Sequence, residues 1–69
     1  MSERYTINDL YSHAWARAIE NVIREIRETT GMRLFYERDH YAVHELIERL
    51  GVMFDADGNI DRMQGGTNA

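Results

Sequence analysis

Apolar side chains recur at spacings of three and four through the first third of the chain: Ile7, Leu10, Tyr11, Ala14, Trp15, Ala18, Ile19, Val22, Ile23 and Ile26. That period predicts one amphipathic helix over about residues 7–29. TIND, residues 6–9, reads as a capping-box-like start, with the Thr6 hydroxyl placed to accept the amide hydrogen of Asp9. Asp9 adds negative charge to the first turn, where the helix dipole favours it. Gly31 is placed to stop the helix in a left-handed cap. The residues before Thr6 read as a frayed end.

The apolar stripe is wide. At about 100° per residue it runs from Leu10 on one edge to Ile23 on the other, more than half the circumference, whereas one core face needs only ~100°. Two burials are therefore expected, one against the rest of the chain and one against a second copy. The expected dimer interface is Tyr11, Trp15, Ile19, Val22, Ile23 and Ile26. Outside the arc, Glu20–Arg24 and Arg24–Glu28 are opposite charges four apart, expected as ion pairs on a solvated face.

MRLFY, residues 32–36, is short and rich in aromatic and apolar side chains, which predicts a strand. Its consecutive Leu34, Phe35 and Tyr36 also fit the start of a second helix. Gly31 before it and Asp39 as a fresh N-cap favour the strand. Ala42, Val43, Leu46, Ile47 and Leu50 form the apolar face of a second helix over about 40–50, stopped by Gly51. Asp57-Gly58 then signals the turn of a hairpin over about 52–61. MQGGTNA, residues 63–69, reads as a polar disordered tail. The fold class expected is α+β and mostly helical, in a single small domain over residues 1–62.

Size sharpens the expectation of a partner. A chain of 69 residues buries only about 60% of its unfolded surface and usually needs a disulfide, a metal or a second chain. It has no cysteine, so disulfides and thiolate zinc sites are excluded. No apolar run approaches the ~20 residues of a membrane span, and no signal core opens the chain, so a cytoplasmic protein is expected.

Candidate metal chemistry centres on HYAVHE, residues 40–45. His40 and His44 share a helix face. A zinc peptidase needs glutamate directly after the first histidine or directly before the second, and Tyr41 and Val43 stand there. His13, the remaining histidine, lies on the first helix outside its apolar arc. Asp55, Asp57 and Gly58 resemble the middle of a calcium loop, but Met53 falls at the first ligand position, where an oxygen ligand belongs, and Gln64 at the twelfth, where a bidentate glutamate belongs. No metal and no cofactor is expected.

Nor is an enzyme. Ser2 and Ser12 have no triad around them, and no Gly-rich phosphate loop precedes a helix. So short a chain is not expected to enclose the ~300 Å³ that small ligands use.

Charge bears on partners. The net charge is −4, and the second helix pairs Asp39, Glu45 and Glu48 with a single Arg49. Direct nucleic-acid binding is not expected, because phosphate contacts need clustered positive charge. All eight Lys+Arg positions are arginine. Genomic base composition explains that bias, and so does arginine's planar fork, which suits protein interfaces. Tyrosine, tryptophan and arginine dominate binding hot spots. The expected partner-contacting residues are Arg24 and Glu28 on the first helix, with Tyr36 and Tyr41, whose hydroxyls call for water or a partner.

In length, acidic character and a long first helix, AWARAIENVIREIRE, carrying an exposed Arg24, the chain resembles the small quorum-sensing anti-activators of temperate Pseudomonas phages. The resemblance implies a phage-encoded homodimer in the host bacterial cytoplasm. It implies binding to a quorum-sensing transcriptional activator that blocks the activator's DNA binding, and a second host target, the pilus-assembly ATPase. Two other readings compete with that inhibitor: a small dimeric DNA-associated regulator, and a structural subunit of a larger assembly.

Overall fold

The computed structural model describes residues 4–62. A 3-10 turn at Ile7–Asp9 leads into helix α1 (Ser12–Thr30), then helix α2 (Tyr36–Leu50), and a hairpin of strands β1 (Met53–Phe54) and β2 (Ile60–Arg62). The architecture is the mostly helical α+β expected. The tail at 63–69 lies outside the described residues, as do residues 1–3.

The first predicted helix is split. Leu10 and Tyr11 are extended, and α1 begins only at Ser12. The cause lies far along the chain. Tyr5 exchanges backbone hydrogen bonds with Phe54, Tyr5 N donating to Phe54 O at 2.8 Å and Phe54 N to Tyr5 O at 2.9 Å. A single helix from residue 7 would carry Tyr5 away from that pairing. The chain instead turns at 7–9, burying Ile7 in the core. The capping box also takes another form. Asp9 N donates to the Thr6 backbone carbonyl, and the Thr6 hydroxyl donates to the Asp9 carboxylate at 2.9 Å. The end expected to fray is held at Arg4 as well, whose Nε lies 2.9 Å from Asp61 Oδ2.

Residues 32–36 are not a strand. Among the described residues they have no partner strand; the sheet pairs β1 with β2. The segment is the linker between the helices, and Tyr36 is already the first residue of α2. Asp39 draws it in. Its carboxylate accepts the Phe35 N–H at 2.9 Å, while its own N–H donates to Phe35 O at 2.7 Å. That reciprocal pair satisfies amides that a helix start leaves without partners. Asp39 itself has non-helical angles (φ −117°, ψ 25°), so a kink separates the first turn from the predicted span 40–50. The glycine stops are as expected, Gly31 and Gly51 both being left-handed C-caps.

The hairpin turns where Asp57-Gly58 predicts. Gly58 N donates to Asp55 O at 3.0 Å and Asp55 N to Asn59 O at 2.9 Å. Met53 pairs with Arg62 and Phe54 with Ile60, leaving Asp61 as a bulge.

One core forms between α1, α2, the 3-10 turn and β1. It comprises Ile7, Ala18, Ile19, Val22, Ile26, Val43, Ile47, Val52 and Phe54. The wide stripe of α1 is thus covered twice within one chain. One flank, Ala14 and Ala18, meets the hairpin turn. The other meets α2. Ile19, Val22 and Ile26, expected at a dimer interface, are at most 5% exposed and belong to the chain's own core. They present no surface to a second copy.

Candidate functional site

The linker leaves apolar side chains uncovered. Met32 and Phe35 are 51% and 59% exposed. Beside them lies a groove of about 460 Å³ between the C-terminal half of α1 and the linker. Ile19, Ile23, Leu34, Phe35 and Tyr36 supply its apolar wall, and Glu20, Arg24, Arg27 and Glu37 its charged rim. An open groove of this size was not expected of so short a chain. The sequence signal for it is the break in alternation at Leu34-Phe35-Tyr36: Leu34 and Tyr36 turn partly inward and Phe35 turns out.

Trp15, Tyr36, His40 and His44 support the groove from behind. Trp15 meets Tyr36 edge-on, with ring centroids 5.4 Å apart at 84°, and stacks near His44 at 6.1 Å. Tyr36 Oη and His44 Nε2 are 2.7 Å apart, a hydrogen bond within the chain. The Tyr36 hydroxyl therefore has its partner already, and Tyr36 offers the groove a fixed ring. Such aromatic pairs contribute about 0.5–1.5 kcal/mol beyond their buried area. His40 leans on Tyr41 at 4.3 Å. Among the described residues no three His, Cys, Asp or Glu side chains converge as a metal site. His13 stacks on Tyr11 instead, at 6.5 Å.

Of the four expected partner-contacting residues, Arg24 and Tyr36 line this groove; Glu28 and Tyr41 are exposed outside it. Of the expected interface residues not in the core, Ile23 lines the groove, Trp15 is half-buried behind Tyr36, and Tyr11 is 79% exposed at the start of α1.

The expected ion pairs of Arg24 with Glu20 and Glu28 do not form. Arg24 Nη2 donates instead to Asn21 Oδ1 at 2.7 Å. Among the described residues Asn21 is the one polar side chain buried with the core, and its Nδ2 donates to the Gly58 carbonyl at 2.9 Å. On the far side of Arg24 and Glu20 runs a second, polar groove of about 520 Å³, lined by His13, Arg17, Asn21 and Asn59 among others. Arg24 and Glu20 form the ridge between the two.

Two carboxylates bonded to groove-lining residues, Asp39 to Phe35 and Asp55 to Asn59, have lowered pKa values. Asp39 lies below the usual aspartate range, chiefly through its hydrogen bond from Arg38 and then the Phe35 N–H. Partial burial works against the charge on Asp55, but hydrogen bonds from Asn59, Asp57 and Gly58 together outweigh it and lower its pKa. Those bonds are 3.0 Å from Asp57 N, 2.9 Å from Asn59 N and 3.3 Å from Asn59 Nδ2 to the carboxylate. The Asp55 carboxylate, in the stretch that resembles the middle of a calcium loop, accepts its hydrogen bonds from its own turn.

No helix among the described residues is long and apolar enough to cross a membrane. Comparison of the chain with protein-family models, with curated proteins and with solved structures gave no match.

Proposed function

We propose that the chain is a small protein-binding inhibitor that seats an apolar segment of its target in the groove between α1 and the linker. The observation that carries this reading is the groove itself: Phe35 exposed beside Ile23, Leu34 and a Tyr36 ring locked by His44 and Trp15. Preformed aromatic and aliphatic anchors with a charged rim are what protein interfaces use. Rigid walls lower the ordering cost of association. The resemblance to phage anti-activators supplies the target class, a bacterial quorum-sensing transcriptional activator, with the pilus-assembly ATPase as a second target.

The test is a DNA-binding assay of such an activator titrated with the chain. Wild type is expected to release the DNA at near-stoichiometric ratios. Phe35→Ala, which changes an exposed side chain and leaves the core alone, is expected to weaken release at least about tenfold, the scale of a hot-spot residue. DNA binding that persists under a large excess of folded wild type would remove this target.

A further inference from the structure

We infer that the polar groove beside the apolar one is a seat for a carboxylate, so that the partner segment carries an aspartate or glutamate next to its apolar anchor. This rests on the protein-binding reading of the apolar groove and adds the chemistry of what binds there.

Two arginines of α1, Arg17 and Arg24, keep guanidinium donors unused among the described residues. Arg17 has no hydrogen-bond or ion-pair partner among the described residues, although Glu20 is three residues away on the same helix. Arg24 makes one hydrogen bond, to an amide oxygen and not to a carboxylate. Asn21 cannot turn away from it. Its Nδ2 is committed to the Gly58 carbonyl, so its Oδ1 must face Arg24. The hairpin tip therefore fixes the amide, and the amide fixes one Nη of Arg24, leaving the other guanidinium donors free. Both arginines line the same polar groove with His13 and Asn59. A planar fork held in place from behind is suited to binding a carboxylate through two parallel bonds.

The seat is small and local. Glu20 stands on its rim and the chain carries a net charge of −4, which disfavours the extended polyanion of a nucleic acid. Because Arg24 belongs to both grooves, one short peptide can bury an aromatic or aliphatic side chain on Ile23 and Phe35 and reach the seat with an adjacent acid.

The test is selection from a phage-displayed random peptide library on the full chain, repeated on Arg17→Gln and on Ile23→Glu. Arg17 is exposed and without a partner among the described residues, so Arg17→Gln is expected to keep the fold, checked by circular dichroism. Peptides selected on wild type should pair an aromatic or aliphatic residue with Asp or Glu. A selected synthetic peptide should bind Arg17→Gln at least about threefold more weakly, and its Asp→Asn or Glu→Gln version should show no difference between the two chains. Selection of apolar peptides without acidic enrichment, or displacement of the acidic peptide by equimolar duplex DNA, overturns the carboxylate seat and leaves the apolar groove standing. Acidic peptides that bind folded Ile23→Glu unchanged overturn the apolar groove and leave the seat. No enriched peptide on wild type overturns both.

Discussion

The side-chain amide of Asn21, in the middle of α1, donates to the backbone carbonyl of Gly58, thirty-seven residues away at the tip of the hairpin, at 2.9 Å. The hairpin is thereby attached to α1 by a polar contact as well as by the apolar packing of Phe54. Asn21→Ala leaves the Gly58 carbonyl without its buried donor and frees Arg24. It is expected to destabilise the chain by about 1–3 kcal/mol, the cost of an unsatisfied buried group. Urea denaturation followed by tryptophan fluorescence measures it. A change within a few tenths of a kcal/mol would mean that the contact contributes nothing.

Gly58 and Gly31 make a controlled comparison. Both have positive φ, +88° and +79°, so alanine at either incurs the left-handed penalty of about 1–2 kcal/mol. At Gly31 a Cβ would meet nothing, whereas at Gly58 it would collide with the Ala14 carbonyl oxygen. Gly58→Ala is expected to be clearly the more damaging and to detach the hairpin tip, seen as faster amide exchange at Asp55–Asn59. Equal melting temperatures for the two variants would contradict the close approach of turn and helix.

Trp15 holds the wall of the groove. It is half-buried and in contact with Tyr36 and His44. Trp15→Ala is expected to cost about 2 kcal/mol, below the ~3–5 of a fully buried large side chain. For a chain of this size that lowers the melting temperature by roughly 10 °C. The loss should be independent of protein concentration, because Trp15 packs within one chain; a concentration-dependent melt would restore a dimer interface there.

Acid stability should report on Asp55. Its folded pKa lies below the ordinary aspartate value. Its contribution to stability is therefore complete above the unfolded value of about 3.9 and fades as the pH falls through the lower, folded value. Asp55→Asn removes that dependence along with part of the turn. Its melting temperature is expected to fall below wild type at neutral pH and to approach it as the pH drops toward 2. A gap that stays constant over that range would show that ionisation of Asp55 does not matter.

Much of the fold is legible locally. The period of α1, the apolar face of α2, the stops at Gly31 and Gly51 and the turn at Asp57-Gly58 each follow from neighbouring residues. The errors come from contacts across the chain. The split of the first helix depends on Tyr5 pairing with Phe54, which no local pattern encodes. Residues 32–36 have strand-like composition, but β propensity has no effect without a partner strand, and Asp39 offered a helix start. The wide stripe is real; its second cover is the hairpin tip. Ala14, Ala18 and Asn21, spaced four and three apart, form a flank of small residues ending in a buried amide. That spacing is the signal that a backbone, and not a second helix, lies against it. Of the candidate surface, Arg24 is legible as an exposed charged position, whereas Tyr36 is half-buried with its hydroxyl bonded to His44, and nothing in the strand-like pattern of 32–36 singles out Phe35 as the exposed ring.

The central claim is that the groove of Ile23, Leu34, Phe35 and Tyr36 receives the partner. The most direct test titrates the DNA-binding domain of a quorum-sensing activator into ¹⁵N-labelled chain and follows the amide spectrum. Saturable shifts that concentrate at residues 19–27 and 34–37, and that vanish in Phe35→Ala, are the predicted result. The absence of saturable shifts, or shifts centred on Tyr41 and the outer face of α2, would contradict it.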